Sequence, residues 1–100
     1  MVRHIVMWTL KEEAEGASAK DNAAKMKEML EALQGRIEGL QRIVVTDNVV
    51  DATQECNIVL CSDHDDVDAL DHYQGHPDHQ ACVSFVKKVV SSRSAVDFEM

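Results

Sequence analysis

Residues 2–10 read Val2-Arg3-His4-Ile5-Val6-Met7-Trp8-Thr9-Leu10, and the fold turns on this stretch. Its β-branched and aromatic content predicts a strand. Strand side chains alternate between faces, so His4, Val6, Trp8 and Leu10 share one side while Ile5 and Met7 share the other. Both sides are apolar, the mark of a strand in a sheet covered on both faces. Residues 55–62, ECNIVLCS, repeat the pattern, with Cys56, Ile58 and Leu60 opposed to Val59 and Cys61. One layer of helices covers only one face. The other would leave several hundred Å² of apolar surface wet, more than monomers usually tolerate. A second copy packing sheet to sheet is therefore expected, with His4 and Trp8 pointing into the space between the sheets.

Outward from this strand the chain alternates in type. A polar connection, KEEAEGA, leads to Ser18-Ala19-Lys20-Asp21, which has the form of a capping box. Ala23, Met26, Leu30 and Leu33 then recur at helical spacing up to Gly35. Residues 41–50 and 55–62 read as two strands joined by the turn-like Asp51-Ala52-Thr53. Ser62-Asp63-His64-Asp65 is expected to open a short helix that runs to Gln74 and stops at Gly75. Pro77 suits the first turn of a further helix, whose apolar stripe is Cys82, Phe85, Val86, Val89 and Val90. Residues 95–99 form a last strand. The order β-α-β-β-α-α-β predicts one α+β domain over residues 1–100, a ferredoxin-like four-stranded antiparallel sheet with helices on one face.

Charge narrows the partners. The 18 acidic and 10 basic residues leave a net charge of −8, which repels phosphate backbones and argues against nucleic acid. The acidity concentrates at Asp63, Asp65, Asp66, Asp68 and Asp71, read as a solvated helix face. No run approaches the length of a membrane span, and residues 3–8 are too short for a signal sequence. Cys56, Cys61 and Cys82 are odd in number and lack paired spacing, so all three are read as reduced core residues of a cytoplasmic protein.

Three segments resemble the stress-responsive A/B barrel (Dabb) family: Val2-Arg3-His4-Ile5-Val6-Met7, Tyr73-Gln74-Gly75-His76-Pro77-Asp78-His79, and Arg93-Ser94-Ala95-Val96-Asp97-Phe98-Glu99. The resemblance runs over essentially the whole chain. It implies homodimers in which two four-stranded sheets close into an α+β barrel. It also implies a site, because plant relatives include a cofactor-free cyclase that folds a polyketide by aldol condensation. The positions matching its catalytic tyrosine and histidine are Tyr73 and His79, and His4 matches a histidine lining its cavity. Asn57 stands near a further histidine of that cyclase. With only Trp8, Tyr73, Phe85 and Phe98 as aromatics, this chain departs from the cyclase's aromatic cavity, and a polyketide substrate is not implied.

The residue types carry chemistry of their own. Histidine passes protons near neutrality, and a tyrosine hydroxyl can hold a carbonyl or enolate. His4 and Trp8, on one strand face, and Asn57 are the expected ligand contacts, with Tyr73 and His79 as the expected catalytic pair. The plainer alternatives are that His76 caps the helix after Pro77 and that His79 fixes the loop. His72, His76 and His79 are close in sequence, but Gly75 and Pro77 break the helix between them and no cysteine or carboxylate completes a ligand set. No metal or other cofactor is expected. Two function classes follow: a homodimer whose barrel cavity binds a small apolar ligand, and a cofactor-free enzyme doing acid–base chemistry on a carbonyl compound.

Overall fold

A computed structural model describes residues 1–100. In chain order its elements are β1 (Val2–Leu10), β2 (Glu13–Ala14), β3 (Ala17–Ser18), α1 (Ala19–Glu31), β4 (Leu40–Thr46), β5 (Ile58–His64), α2 (Val67–Gly75), α3 (Pro77–Val89) and β6 (Val90–Glu99). The main sheet is antiparallel with strand order β4-β5-β1-β6, the α+β, ferredoxin-like arrangement expected. β2 and β3 add a small hairpin within the polar connection.

Register assigns the faces. Val2, His4, Val6 and Trp8 pair with His64, Ser62, Leu60 and Ile58 on one side and with Glu99, Asp97, Ala95 and Arg93 on the other. Val2, His4, Val6, Trp8 and Leu10 are all buried. They lie beneath the helices together with Met26, Leu30, Leu70, Tyr73, Val86 and Val89. His4 and Trp8 therefore point into the protomer's own interior, not into a space between sheets. The two-faced reading of β1 is right, but the face given to the partner is the other one. Across the open face, Val44, Cys61, Ile5 and Val96 form one row through all four strands. Val96 and Phe98 are 55% and 40% exposed there.

Other differences have local causes. The second helix starts at Val67, not at Ser62, because β5 stays paired with β1 as far as His64 and Asp66 supplies the N-cap, accepting from the Ala69 amide at 2.8 Å. Asp63 is thus no solvated helix residue. It is 7% exposed on the sheet, and the Arg3 guanidinium donates to it twice, at 2.7 and 3.1 Å. Ser18 accepts from the Asp21 amide at 3.2 Å, which is one half of the expected capping box. β6 begins at Val90, five residues earlier than expected, directly at the end of α3. Of the three free cysteines only Cys82 is in the core, while Cys56 and Cys61 are half-buried.

Two turns position the helices over the sheet. His76 alone links α2 to α3, and its Nδ1 accepts from the Asp78 amide at 3.1 Å. Pro77 follows at the first helical position, where no N–H is needed. Gly39, ahead of β4, has φ of +86°, and its carbonyl accepts from the Asp65 amide at 3.0 Å. A Cβ at Gly39 would meet the Ala69 Cβ at 2.7 Å, so this turn sets how closely α2 approaches the sheet.

Gly39→Ala should cost about 2–3 kcal/mol, combining left-handed strain with the collision on α2. Gly35→Ala, at φ of +85° with open space around it, should cost only the strain, about 1 kcal/mol. Urea unfolding of both variants checks this, and equal losses would refute the close approach. The Arg3 hydrogen bonds hold the Asp63 carboxyl below its ordinary value against the opposing effect of burial. A depressed folded-state value gives stability that is complete above the unfolded value and lost as pH falls through the folded one. Stability should therefore drop on acidification below about pH 4. Asp63→Asn should flatten that limb in denaturation measured from pH 7 to pH 2.

Candidate functional site

Between the helices and the buried face of the sheet lies a cavity of about 350 Å³. Val6 and Leu60 from the sheet, Leu30 from α1, and Val83 and Val86 from α3 give it apolar walls. His4, Tyr73 and His79 bring polar groups to it from β1, α2 and α3. The one-residue link at His76 folds α3 back beside the end of α2, so the Tyr73 and His79 rings lie 4.3 Å apart between centroids. The His4 and Tyr73 rings are 6.4 Å apart, and the His64 ring is 4.8 Å from Tyr73.

Hydrogen bonds define which atoms are free. The His4 Nδ1–H donates to the Asp97 carboxylate across the β1–β6 pair, which leaves Nε2 as the free nitrogen of a ring lining the cavity. The His79 Nδ1–H donates to the Gln74 carbonyl at 3.2 Å, again leaving Nε2 free. His64 Nε2 is 2.8 Å from Ser62 Oγ. Three buried atoms have no partner at all: Tyr73 Oη, Trp8 Nε1 and His64 Nδ1. An unpaired buried polar group costs about 1–3 kcal/mol, and such groups in a folded protein call for an explanation.

Burial sets the protonation. It holds the His79 imidazole below its ordinary value; the Gln74 carbonyl opposes this, while charge on His4, Arg93 and His76 adds to it. Burial lowers His64 as well, reinforced by His4 and opposed by Asp63 and Asp97. The same desolvation raises the Tyr73 phenol far above its ordinary value. At neutral pH the cavity thus offers a neutral His79 imidazole with a free lone pair and a phenol that keeps its proton. A base and a hydrogen-bond donor stand at one end of an apolar chamber.

The structure brings His4, Trp8, Tyr73 and His79 to this one cavity. Asn57, expected among the ligand contacts, lies outside it. Its Oδ1 accepts from the Leu10 amide at 2.6 Å and its own amide donates to the Trp8 carbonyl at 2.8 Å, extending the β1–β5 pairing by one step. His76 caps α3, and its ring meets His72 edge-on at 5.6 Å, so the three neighbouring histidines do not converge. Asp97 and His64 were not among the expected site residues. Asp97 joins the site only through its register opposite His4, and His64 only because β5 runs two residues past its apolar core.

No helix is long and apolar enough to cross a membrane. No curated protein matches the chain. Among solved structures, a dimeric protein of unknown function and ferredoxin-like fold from Bacteroides fragilis is 29% identical, with a TM-score of 0.81 over 99% of this chain and 95% of that one. A Dabb family protein with a ferredoxin-like fold from Mesorhizobium loti is 23% identical, with a TM-score of 0.74 over 99% and 95%. A hydroxynitrile lyase from Passiflora edulis is 14% identical, with a TM-score of 0.81 over 99% and 92%, a likeness of fold alone. The family model for the stress responsive A/B barrel domain matches residues 2–100. With that match laid over a four-stranded sheet and its single layer of helices, the chain belongs to the stress responsive A/B barrel domain family.

Proposed function

We propose that the protein is a cytoplasmic homodimer that binds one small, largely apolar ligand in each protomer. The observation that carries this reading is the helix-side cavity of about 350 Å³, apolar along its walls and bordered by polar atoms that lack partners. That volume is within the range of small-molecule sites, and such sites combine an apolar lining with a few convergent polar groups. Dimerisation is supported by the row Val44, Cys61, Ile5 and Val96 on the uncovered face, and by the dimeric description of the Bacteroides fragilis protein. The cytoplasm is supported by three free cysteines.

A second reading, acid–base chemistry on a carbonyl compound, is favoured by one specific observation, the His4–Asp97 pair. A carboxylate that fixes an imidazole's tautomer also stabilises the imidazolium formed when the free nitrogen takes a proton. His4 Nε2 would take a proton from the carbon next to a carbonyl. The electron pair would move to the carbonyl oxygen, which the Tyr73 hydroxyl would hold.

Ile5→Asp and Val96→Asp should convert a dimer at micromolar concentration into monomer or aggregate, because each puts an unpaired charge into a dry interface. Sedimentation velocity reads this, and a monomeric wild type would sink the dimer. Val83→Trp should fill the cavity, so a small molecule that co-purifies with wild type should be missing from mass spectra of the variant. For the second reading, Asp97→Asn should slow deuterium uptake next to the carbonyl of a bound aryl ketone about a hundredfold, within the range for positioned acid–base groups. Uptake equal in wild type, His4→Ala, His79→Ala and Asp97→Asn would remove the enzyme reading and leave the binding one standing.

A further inference from the structure

The cavity has a second end. In the β1–β6 register Asp97 stands opposite His4, whereas Arg93 stands opposite Trp8. Four strand residues separate the two backbone positions, about 13 Å at the usual rise, although the charge of the Arg93 side chain still reaches His79. Lys87, from the last turn of α3, lines this end together with Arg93. Neither cation has an ion-pair partner, since the salt bridges are Arg3–Asp63, His4–Asp97 and Lys27–Glu31. No Asp or Glu lines the cavity. In a chain with 18 acidic residues against 10 basic ones, a chamber whose charged lining residues are both cationic runs against composition.

The helix dipole favours cations in the last turn of α3, which explains Lys87 and Lys88 equally well. It does not explain Arg93, which is on a strand, or the absence of any carboxylate facing either cation. A further unpaired donor belongs to the same end. The indole N–H of Trp8, the cross-strand neighbour of Arg93, is buried without a partner. An anionic oxygen pair suits a guanidinium fork and an ammonium, and Arg93 and Lys87 bring those two groups to the cavity lining.

Resting on the ligand-binding reading above, we propose that the ligand is an amphipathic monocarboxylic acid. Its carboxylate is held at the mouth by Arg93 and Lys87, and its apolar body runs along Val83 and Val86 toward the histidine end.

Trp8 is the single tryptophan and lines the cavity, so its emission reports occupancy in the full-length protein. Titration with nonanoate and with nonan-1-ol compares a carboxylate with a neutral head on the same chain. Nonanoate should bind about five- to tenfold more tightly, the scale of charge-assisted hydrogen bonds at a partly exposed site. The double variant Arg93→Gln/Lys87→Gln should bring the acid to the level of the alcohol, whereas Lys88→Gln should leave the preference intact. Equal binding of acid and alcohol by wild type, or a preference that survives the double variant, overturns the head-group assignment while the cavity reading stands. Binding of neither compound overturns both.

Discussion

The structure depends on a mismatch between two faces and one layer of helices. β1 lies inside the sheet, and its alternating side chains are apolar on both sides, yet α1, α2 and α3 all pack on one side. Everything that follows is an answer to that constraint. The covered side becomes the protomer's core and encloses the cavity. The uncovered side keeps Ile5, Met7, Val59 and Val96 at the surface, beside an Arg3–Asp63 pair that gives the face a polar margin. Burying apolar surface at about 25 cal/mol per Å² makes a second sheet the obvious cover for such a face. One strand therefore feeds two interfaces, and a one-residue slip of its register would exchange them.

Within the core, the chamber persists because its polar end resists collapse. An apolar gap between a sheet and helices would normally be closed by rotamer changes, since interiors pack densely. Here His4 is tied to Asp97, His79 to the Gln74 carbonyl and His64 to Ser62. Those bonds fix three rings around Tyr73. The unpaired Tyr73, Trp8 and His64 atoms are the cost of this arrangement, and a ligand or water bearing oxygen atoms would offset it. Burial keeps His79 and His64 neutral, so the polar end carries lone pairs rather than repelling charges.

Much of this was legible in the sequence because it is local. Alternation along residues 2–10, helical spacing behind Ser18, and Pro77 after Gly75 set the element order and brought Tyr73 and His79 to one bend. What was not legible is pairwise. Alternation says that His4 and Trp8 share a face but not which face the helices choose, and the partner's side was assigned the wrong way round. Ser62-Asp63-His64 resembles a helix start by composition, and pairing with Val2, Arg3 and His4 on one side and with Leu40, Arg42 and Ile43 on the other holds it in the sheet. Asp97 is one acidic residue among many until register sets it against His4. Asn57 has the polarity of a ligand contact, yet the backbone uses it to finish a strand pair.

Every residue lining the cavity belongs to a strand or a helix, and α3 passes into β6 without an intervening loop. Enzymes and carriers that sequester their ligands commonly do so with a mobile segment that closes after entry, and its opening then limits release. No such segment borders this chamber. A ligand bound here would exchange through a mouth framed by strands and helices, so its residence time would follow from the strength of the contacts and not from a gate. Discrimination among ligands must then come from equilibrium fit alone. If the proposed ligand binding holds, such a chamber would suit rapid exchange with the surroundings more than long-term storage.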